Sequence, residues 1–141
     1  MPAWVAWGLL SAGFAALTAI FAKVGVEHVD SNAATLIRTV VILLVLFAIV
    51  SATGELRSVA NASRRTWIFL ALSGLATGAS WLCYFRALSL GDASRVAPID
   101  KLSVVLVAVF GVAFLGERLS TLNWLGIALI GTGAWLVTVR L

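Results

Sequence analysis

The sequence predicts an all-α integral membrane protein, a bundle of five transmembrane helices forming a single domain over residues 1–141. Of its 141 residues, 62% are hydrophobic and 11% are charged, and the mean hydropathy is +1.08. A soluble domain carries about 25% charged residues, so this composition excludes a soluble enzyme, a nucleic-acid-binding module and a disordered chain. Cys83 and His28 are each the single residue of their type, so no disulfide, metal or cofactor is predicted.

Five apolar runs are long enough to cross a bilayer. The hydrocarbon layer is about 30 Å thick, and a helix of roughly 20 residues spans it at about 1.5 Å per residue. The predicted helices cover residues 3–23, 33–52, 67–90, 94–115 and 122–139. Only short connections remain, so almost the whole chain is expected to lie within the membrane.

Polar and glycine residues stand at the boundaries of these runs. A side-chain oxygen before a helix can accept the free amides of its first turn, and glycine commonly ends a helix. The predicted N-caps are Asp30 or Ser31 for the second helix, Ser63 for the third and Ser120 for the fifth; the predicted stops are Gly54, Gly91 and Gly116.

The fourth helix has two alternative starts. If it begins at Pro98, proline occupies its preferred first position and Asp100 suits the positive end of the helix dipole. If it begins at Ser94, Pro98 is an internal kink, and Asp100 and Lys101 lie nearly two turns deep. A helix from Pro98 to Leu115 is short for a span, so the earlier start is favoured.

Several ionisable side chains fall within or beside the spans. A charged residue at the bilayer centre costs about 2.5–3.5 kcal/mol, so such residues usually face protein or a wet cavity. Lys23 ends a stripe of small residues, Gly8, Ala12, Ala15 and Ala19, that suits close helix packing. The alternatives are headgroup anchors for Lys23, Arg38 and Arg86, and a packed core position for Trp81.

These residues make up the predicted substrate-binding set: Lys23, Arg38, Trp81, Tyr84, Arg86, Asp100 and Lys101. The excess of positive charge within it favours an anionic or zwitterionic ligand.

The orientation is weakly specified by charge. One side holds Arg57, Arg64, Arg65 and Arg118, and the other holds Lys23, Arg38, Arg86, Arg95, Lys101 and Arg140. If only loop residues count, the first side has the excess, which favours a cytoplasmic N-terminus in an inner (plasma) membrane. The small bias leaves dual insertion open.

The second half of the chain carries a recognisable order of motifs. Ala97-Pro98 enters an apolar helix, Leu115-Gly116-Glu117-Arg118-Leu119 closes it, and Gly126, Ile130 and Gly133 follow in the next helix. This order resembles the C-terminal part of one repeat of the EamA-like drug/metabolite transporter superfamily, and the first helix resembles the start of that repeat.

The resemblance covers essentially the whole chain and implies one five-helix repeat and an exporter of small metabolites or toxic compounds. Pro98, Gly116 and Glu117 match motif positions, and we assign them structural roles, with Glu117 pairing or capping beside Arg118. Small multidrug-resistance relatives carry a glutamate inside the first helix, whereas this first helix has no acid. The coupling mechanism is therefore not carried over.

Two functions are compatible with these observations: a secondary transporter, and a non-transporting scaffold or subunit of a larger membrane complex. Larger family members pair two inverted repeats, so a transporter with one repeat is expected to form an antiparallel homodimer. The alternative is a parallel dimer or a monomer with a single orientation, which the loop with Arg57, Arg64 and Arg65 favours. Gly74, Gly78, Gly126 and Gly133 offer surfaces for close helix contact. The predicted partners are the lipid bilayer, a small-molecule substrate and a second copy of the chain, with no nucleic acid.

Overall fold

The computed structural model describes residues 2–139, in which every regular element is a helix. Arg140, counted above for orientation, lies outside the described residues. The helices are α1 (Ala3–Gly25), α2 (Ser31–Ala52), α3 (Leu56–Ala60), α4 (Arg64–Leu90), α5 (Ala93–Asp100), α6 (Ser103–Leu115) and α7 (Thr121–Leu136).

Four stretches are long and apolar enough to cross a membrane: α1, α2, α4 and the run Ala93–Leu115, which contains α5 and α6. The last helix, α7, is apolar but has only 16 residues, which span about 24 Å. The protein is therefore an all-helical, multi-pass membrane protein. The structure supports four full spans and a shorter apolar helix, so it does not establish five.

Two helices begin directly after a polar capping residue rather than at the first residue of their apolar run. Helix α4 begins at Arg64 because Ser63 Oγ accepts the amide of Thr66 at 3.1 Å. The apolar run predicts a start at Trp67, which is wrong by three residues because arginine is well tolerated in a helix. Ser120 likewise caps α7 by accepting the amide of Asn123 at 3.3 Å.

The other boundary residues behave differently from one another. Asp30 occupies the N-cap position of α2 but makes no capping bond through its side chain. Gly54 and Gly116 adopt φ values of 75° and 70°, a left-handed conformation that glycine enters without steric cost. Gly116 thereby ends α6 directly, as the sequence predicts.

Pro98 lies inside α5, which begins at Ala93, so a helix starting at Pro98 is wrong. Proline has no amide hydrogen, and its ring disturbs the preceding turn. Just beyond it, the amides of Leu102, Val104 and Val105 bond to carbonyls three residues back, at 2.9, 3.0 and 3.0 Å. Between α5 and α6 the chain therefore makes a tighter turn than an α-helix, whose amides bond to carbonyls four residues back.

The chain divides into two compact units. In the unit Ile20–Leu90, α2 packs against α4 and buries Ala34, Thr35, Phe85 and Leu88. The start of α2 lies beside the end of α4, since residues 30–33 line one groove together with Leu82, Cys83 and Arg86.

The second unit is formed by the chain on either side of the first. Within it, α7 packs against α5 and α6. Val105 Cγ2 of α6 is only 3.1 Å from where a Cβ on Gly131 of α7 would stand, so the missing side chain permits this close approach. A single domain over the whole chain remains a prediction.

Candidate functional site

Arg38 lies against aromatic rings inside the helix pair α2 and α4. Its Cζ is 4.1 Å from the centre of the Trp81 ring and 5.5 Å from that of Phe85. Trp81 and Phe85 are four residues apart, so they share one face of α4. Arg38 is seven residues after Ser31, the first residue of α2, which places it about 10 Å along the helix.

This contact explains how a charged side chain persists at that depth. A cation over an aromatic face gains up to about 2 kcal/mol when it is shielded from water, which offsets much of the cost of burying it in a membrane. Within residues 2–139, no carboxylate lies within 4.0 Å of the guanidinium. Its N–H groups therefore retain the capacity to bind a carboxylate or phosphate.

Lys23 has a structural partner. Its Nζ donates a hydrogen bond of 2.8 Å to the carbonyl of Leu88, in the last turn of α4, where carbonyls lack partners within the helix. A cation at this end is also favoured by the helix dipole. Of the predicted small-residue stripe, Ala19 is buried and Lys23 half-buried, whereas Gly8, Ala12 and Ala15 are exposed.

Arg86 lines an open groove of about 700 Å³ beside the start of α2 and the end of α4. The groove is lined by Asp30, Ser31, Asn32, Ala33, Leu82, Cys83 and Arg86. Asp30 and Arg86 are exposed and form no ion pair within 4.0 Å of each other. The groove thus presents one positive and one negative group to the same volume.

Sequence reasoning missed Asp30, Asn32 and Cys83 as groove residues. The sequence identifies Asp30 as a candidate cap and as one of the charged residues on this side of the membrane, but nothing in a short loop indicates which helix it will face. The pairing of α2 with α4 brings this loop and Cys83 together. In the sequence, the one feature that could have indicated these groove residues is the presence of several polar side chains beside a span.

The remaining predicted binding residues are more dispersed. Tyr84 is half-buried, and its ring centre is 6.5 Å from that of Phe85. Asp100 and Lys101 belong to the second unit and form an ion pair of 3.0 Å with side chains 34% and 55% exposed. An exposed pair of this kind contributes little to stability.

Glu117 folds back on α6. Its amide donates to the Gly111 carbonyl at 3.1 Å, and its Oε2 is 2.6 Å from where a Cβ on Gly111 would stand. No salt bridge between Glu117 and Arg118 occurs in the described chain. Glu117 therefore closes the helix through its own backbone, and Gly111 leaves room for its carboxylate.

Long apolar helices with an arginine held against their aromatic side chains define a multi-pass membrane protein with a charged site inside its spans. The chain belongs to the EamA-like transporter family, whose model matches residues 2–139. The family predicted from the motifs is thus confirmed, and the protein is a membrane transporter by class.

Three relatives support this assignment. A Sinorhizobium protein named as an uncharacterized transporter in the cobO 3′ region is 67% identical over 136 residues, covering 96% of both chains. An uncharacterized transporter of Vibrio cholerae is 31% identical over 142 residues, covering 97% of this chain but 44% of its own length. This chain therefore spans less than half of that relative.

A third relative is more distant. It is a Hamiltonella defensa protein named as a probable 4-amino-4-deoxy-L-arabinose-phosphoundecaprenol flippase subunit ArnE, 30% identical over 77 residues, covering 55% of this chain and 69% of its own. No solved structure matches the chain. The family and these names are those of transporters, which agrees with the prediction that the chain is not an enzyme.

Proposed function

We propose that the protein is a secondary transporter of the inner membrane that exports a small metabolite or drug-like compound by alternating access at a dimer interface. The contact of Arg38 with Trp81 carries this proposal. A guanidinium remains charged at every physiological pH, so its position inside the helix pair costs free energy under all conditions. A role in binding a charged solute accounts for this cost.

The charges favour an anionic or zwitterionic substrate. Arg38 and Arg86 offer bidentate donors that match a carboxylate or phosphate, whereas Asp30 can accept an amine in the groove. The groove volume of about 700 Å³ falls within the range of pockets that hold small molecules. The proposed site combines this groove with the predicted binding residues of the unit Ile20–Leu90, which include Arg38, Trp81 and Arg86.

The dimer is proposed to be antiparallel. At Gly74, Gly78, Gly126 and Gly133, a Cβ would meet no described atom within 4 Å apart from the adjacent residues and backbone of its own helix. Their helices can therefore approach another chain closely. The chain matches 96% of the Sinorhizobium relative and 44% of the longer Vibrio cholerae relative. In a transporter built from two inverted repeats, a second inverted copy of this chain would supply the second repeat.

A non-transporting scaffold or subunit is the second candidate. The hydrogen bond from Lys23 to Leu88 and the ion pair of Lys101 with Asp100 favour it, because they give three predicted binding residues partners within the protein. On this alternative, Arg38 would only tie α2 to α4.

A ligand screen followed by transport separates the two functions. A compound that binds the folded protein raises its melting temperature by mass action, so a metabolite library is screened against the purified chain. Compounds that stabilise it are then loaded into reconstituted vesicles. We expect wild-type export of at least one anionic or zwitterionic compound, and none with Arg38→Ala. Stabilisation without any transport would favour the scaffold.

A further inference from the structure

The segment joining α2 to α4 carries a concentration of positive charge. We call Arg57, Arg64 and Arg65 the basic turn: Arg57 lies in α3, and the other two begin α4. All three are exposed, and Glu55 is the one acid in residues 53–65. Glu27 and Asp30 lie before the opposite end of α2, a helix of 22 residues and about 33 Å.

The described part of the protein does not neutralise this charge. None of its carboxylates lies within 4.0 Å of the three guanidinium groups, and Arg65 Cζ is 5.9 Å from the Phe69 ring. Arg64 and Arg65 also occupy the first turn of α4, where the positive end of the helix dipole disfavours cations. Anions from outside the protein are therefore needed to neutralise the positive charge of the basic turn.

Two apolar side chains accompany the basic turn. Leu56 and Val59 of α3 are 45% and 46% exposed, and residues three apart on a helix lie on the same side. The segment connects the ends of two membrane-spanning helices, so it lies at the level of the lipid headgroups. There, an apolar side chain can enter the acyl boundary while arginines reach phosphates.

We propose that the basic turn binds the headgroups of anionic phospholipids, with Leu56 and Val59 inserted beside them. Guanidinium groups match phosphate geometry bidentately, and clustered cations beside a span are attracted to anionic lipid within about a Debye length. The proposal needs only anionic headgroups, so it holds in either orientation of the chain. It concerns a surface about 20 Å along α2 from Arg38.

The full chain in nanodiscs of two compositions tests this proposal. Thermal unfolding is measured in phosphatidylcholine alone and in phosphatidylcholine partly replaced by phosphatidylglycerol. We expect the wild-type melting temperature to be about 5 °C higher in the anionic lipid, and added salt to reduce this difference. An equal melting temperature in both lipids, or a difference that resists salt, would overturn the proposal.

Variants locate the effect. The triple change Arg57→Gln, Arg64→Gln and Arg65→Gln should lose most of the difference between the lipids, and the corresponding triple change to lysine should retain much of it. The control, Arg95→Gln with Arg118→Gln, removes two positive charges outside the basic turn and should keep most of the difference. If the control loses as much, net charge alone is responsible and the proposal fails. If the glutamine triple does not fold, the lysine triple and the wild-type salt dependence still decide.

Inorganic phosphate provides the last arm. It is added to the wild-type protein in phosphatidylcholine nanodiscs, at an ionic strength matched with sodium chloride. We expect no shift in melting temperature, because the surface is assigned to headgroups arrayed in a bilayer. A shift as large as that of the anionic lipid would instead identify a site for free phosphate and overturn the assignment.

Discussion

Arg38 is a residue whose depth the sequence predicts and whose environment it does not. Its place seven residues after the start of α2 follows from helix geometry alone. Its contact with Trp81 depends on how α2 and α4 align, and no local pattern encodes that alignment. For Lys23, too, the sequence predicts the position but not the contact, because its acceptor, the Leu88 carbonyl, lies 65 residues later in the chain.

Substitution of Arg38 is expected to abolish transport without preventing insertion. Arg38→Ala removes the donors proposed to bind the substrate, and Arg38→Lys keeps the charge but loses the bidentate geometry. We expect at least a tenfold loss for alanine, equivalent to about 1.4 kcal/mol, and a smaller loss for lysine. Export from reconstituted vesicles measures both, with the exposed loop change Arg118→Ala as the control. Wild-type rates for Arg38→Ala would contradict the proposed role.

Cys83 allows the groove to be tested with a native side chain. It is exposed and lies in the groove wall near Arg86, where a charged reagent in water can reach its thiol. We expect a charged methanethiosulfonate reagent to label Cys83 in the inserted protein and to slow export. Mass spectrometry confirms the labelling, and Cys83→Ala should be insensitive. Complete labelling with unchanged export would exclude the groove from the transport route.

At the scale of elements, the sequence predicts boundaries where chemistry is local. Ser63, Ser120 and Gly116 act on their own helix ends, so their roles can be inferred from position. Helix α3 is not predictable in this way, because five residues are too few to show a helical period. The sequence also overestimates the length of α7, because apolar residues continue beyond its last turn.

Replacement of Pro98 tests the distortion between α5 and α6. Pro98→Ala restores an amide that can bond within the helix, so the run should straighten. We expect export to change severalfold while the melting temperature changes little. Transport and thermal unfolding are measured on the same preparation. If neither changes, the distortion has no part in the transport cycle.

A double-mutant cycle tests the contact between Gly111 and Glu117. Gly111→Ala gains about 0.5–1 kcal/mol of helix stability, but its new methyl group would displace the carboxylate, whose Oε2 is 2.6 Å away. We therefore expect little net effect in the wild type and stabilisation by the full amount in a Glu117→Ala background. Thermal unfolding of the four proteins gives the coupling. An identical effect in both backgrounds would show that the two residues do not interact.

At the scale of the whole molecule, labelling from the two sides of the membrane tests the proposed antiparallel dimer. Two single cysteines are introduced in a Cys83→Ala background. Ser63→Cys lies just before α4, close to the end of α2, and Glu27→Cys lies before the start of α2. An antiparallel dimer requires each position to be labelled from both sides of intact cells, together with crosslinks between chains. Labelling of each position from a single, opposite side would exclude it.

The hydrogen bond from Lys23 to Leu88 also has a consequence for biosynthesis. The donor and acceptor are separated by 65 residues, and ribosomes add about 5–20 residues per second. The first helix therefore enters the membrane several seconds before the carbonyl that fixes its end has been made. During that interval the Leu88 carbonyl is not yet present to accept a hydrogen bond from the Lys23 ammonium. Final docking of the first helix is thus a late event, completed when the end of α4 leaves the ribosome.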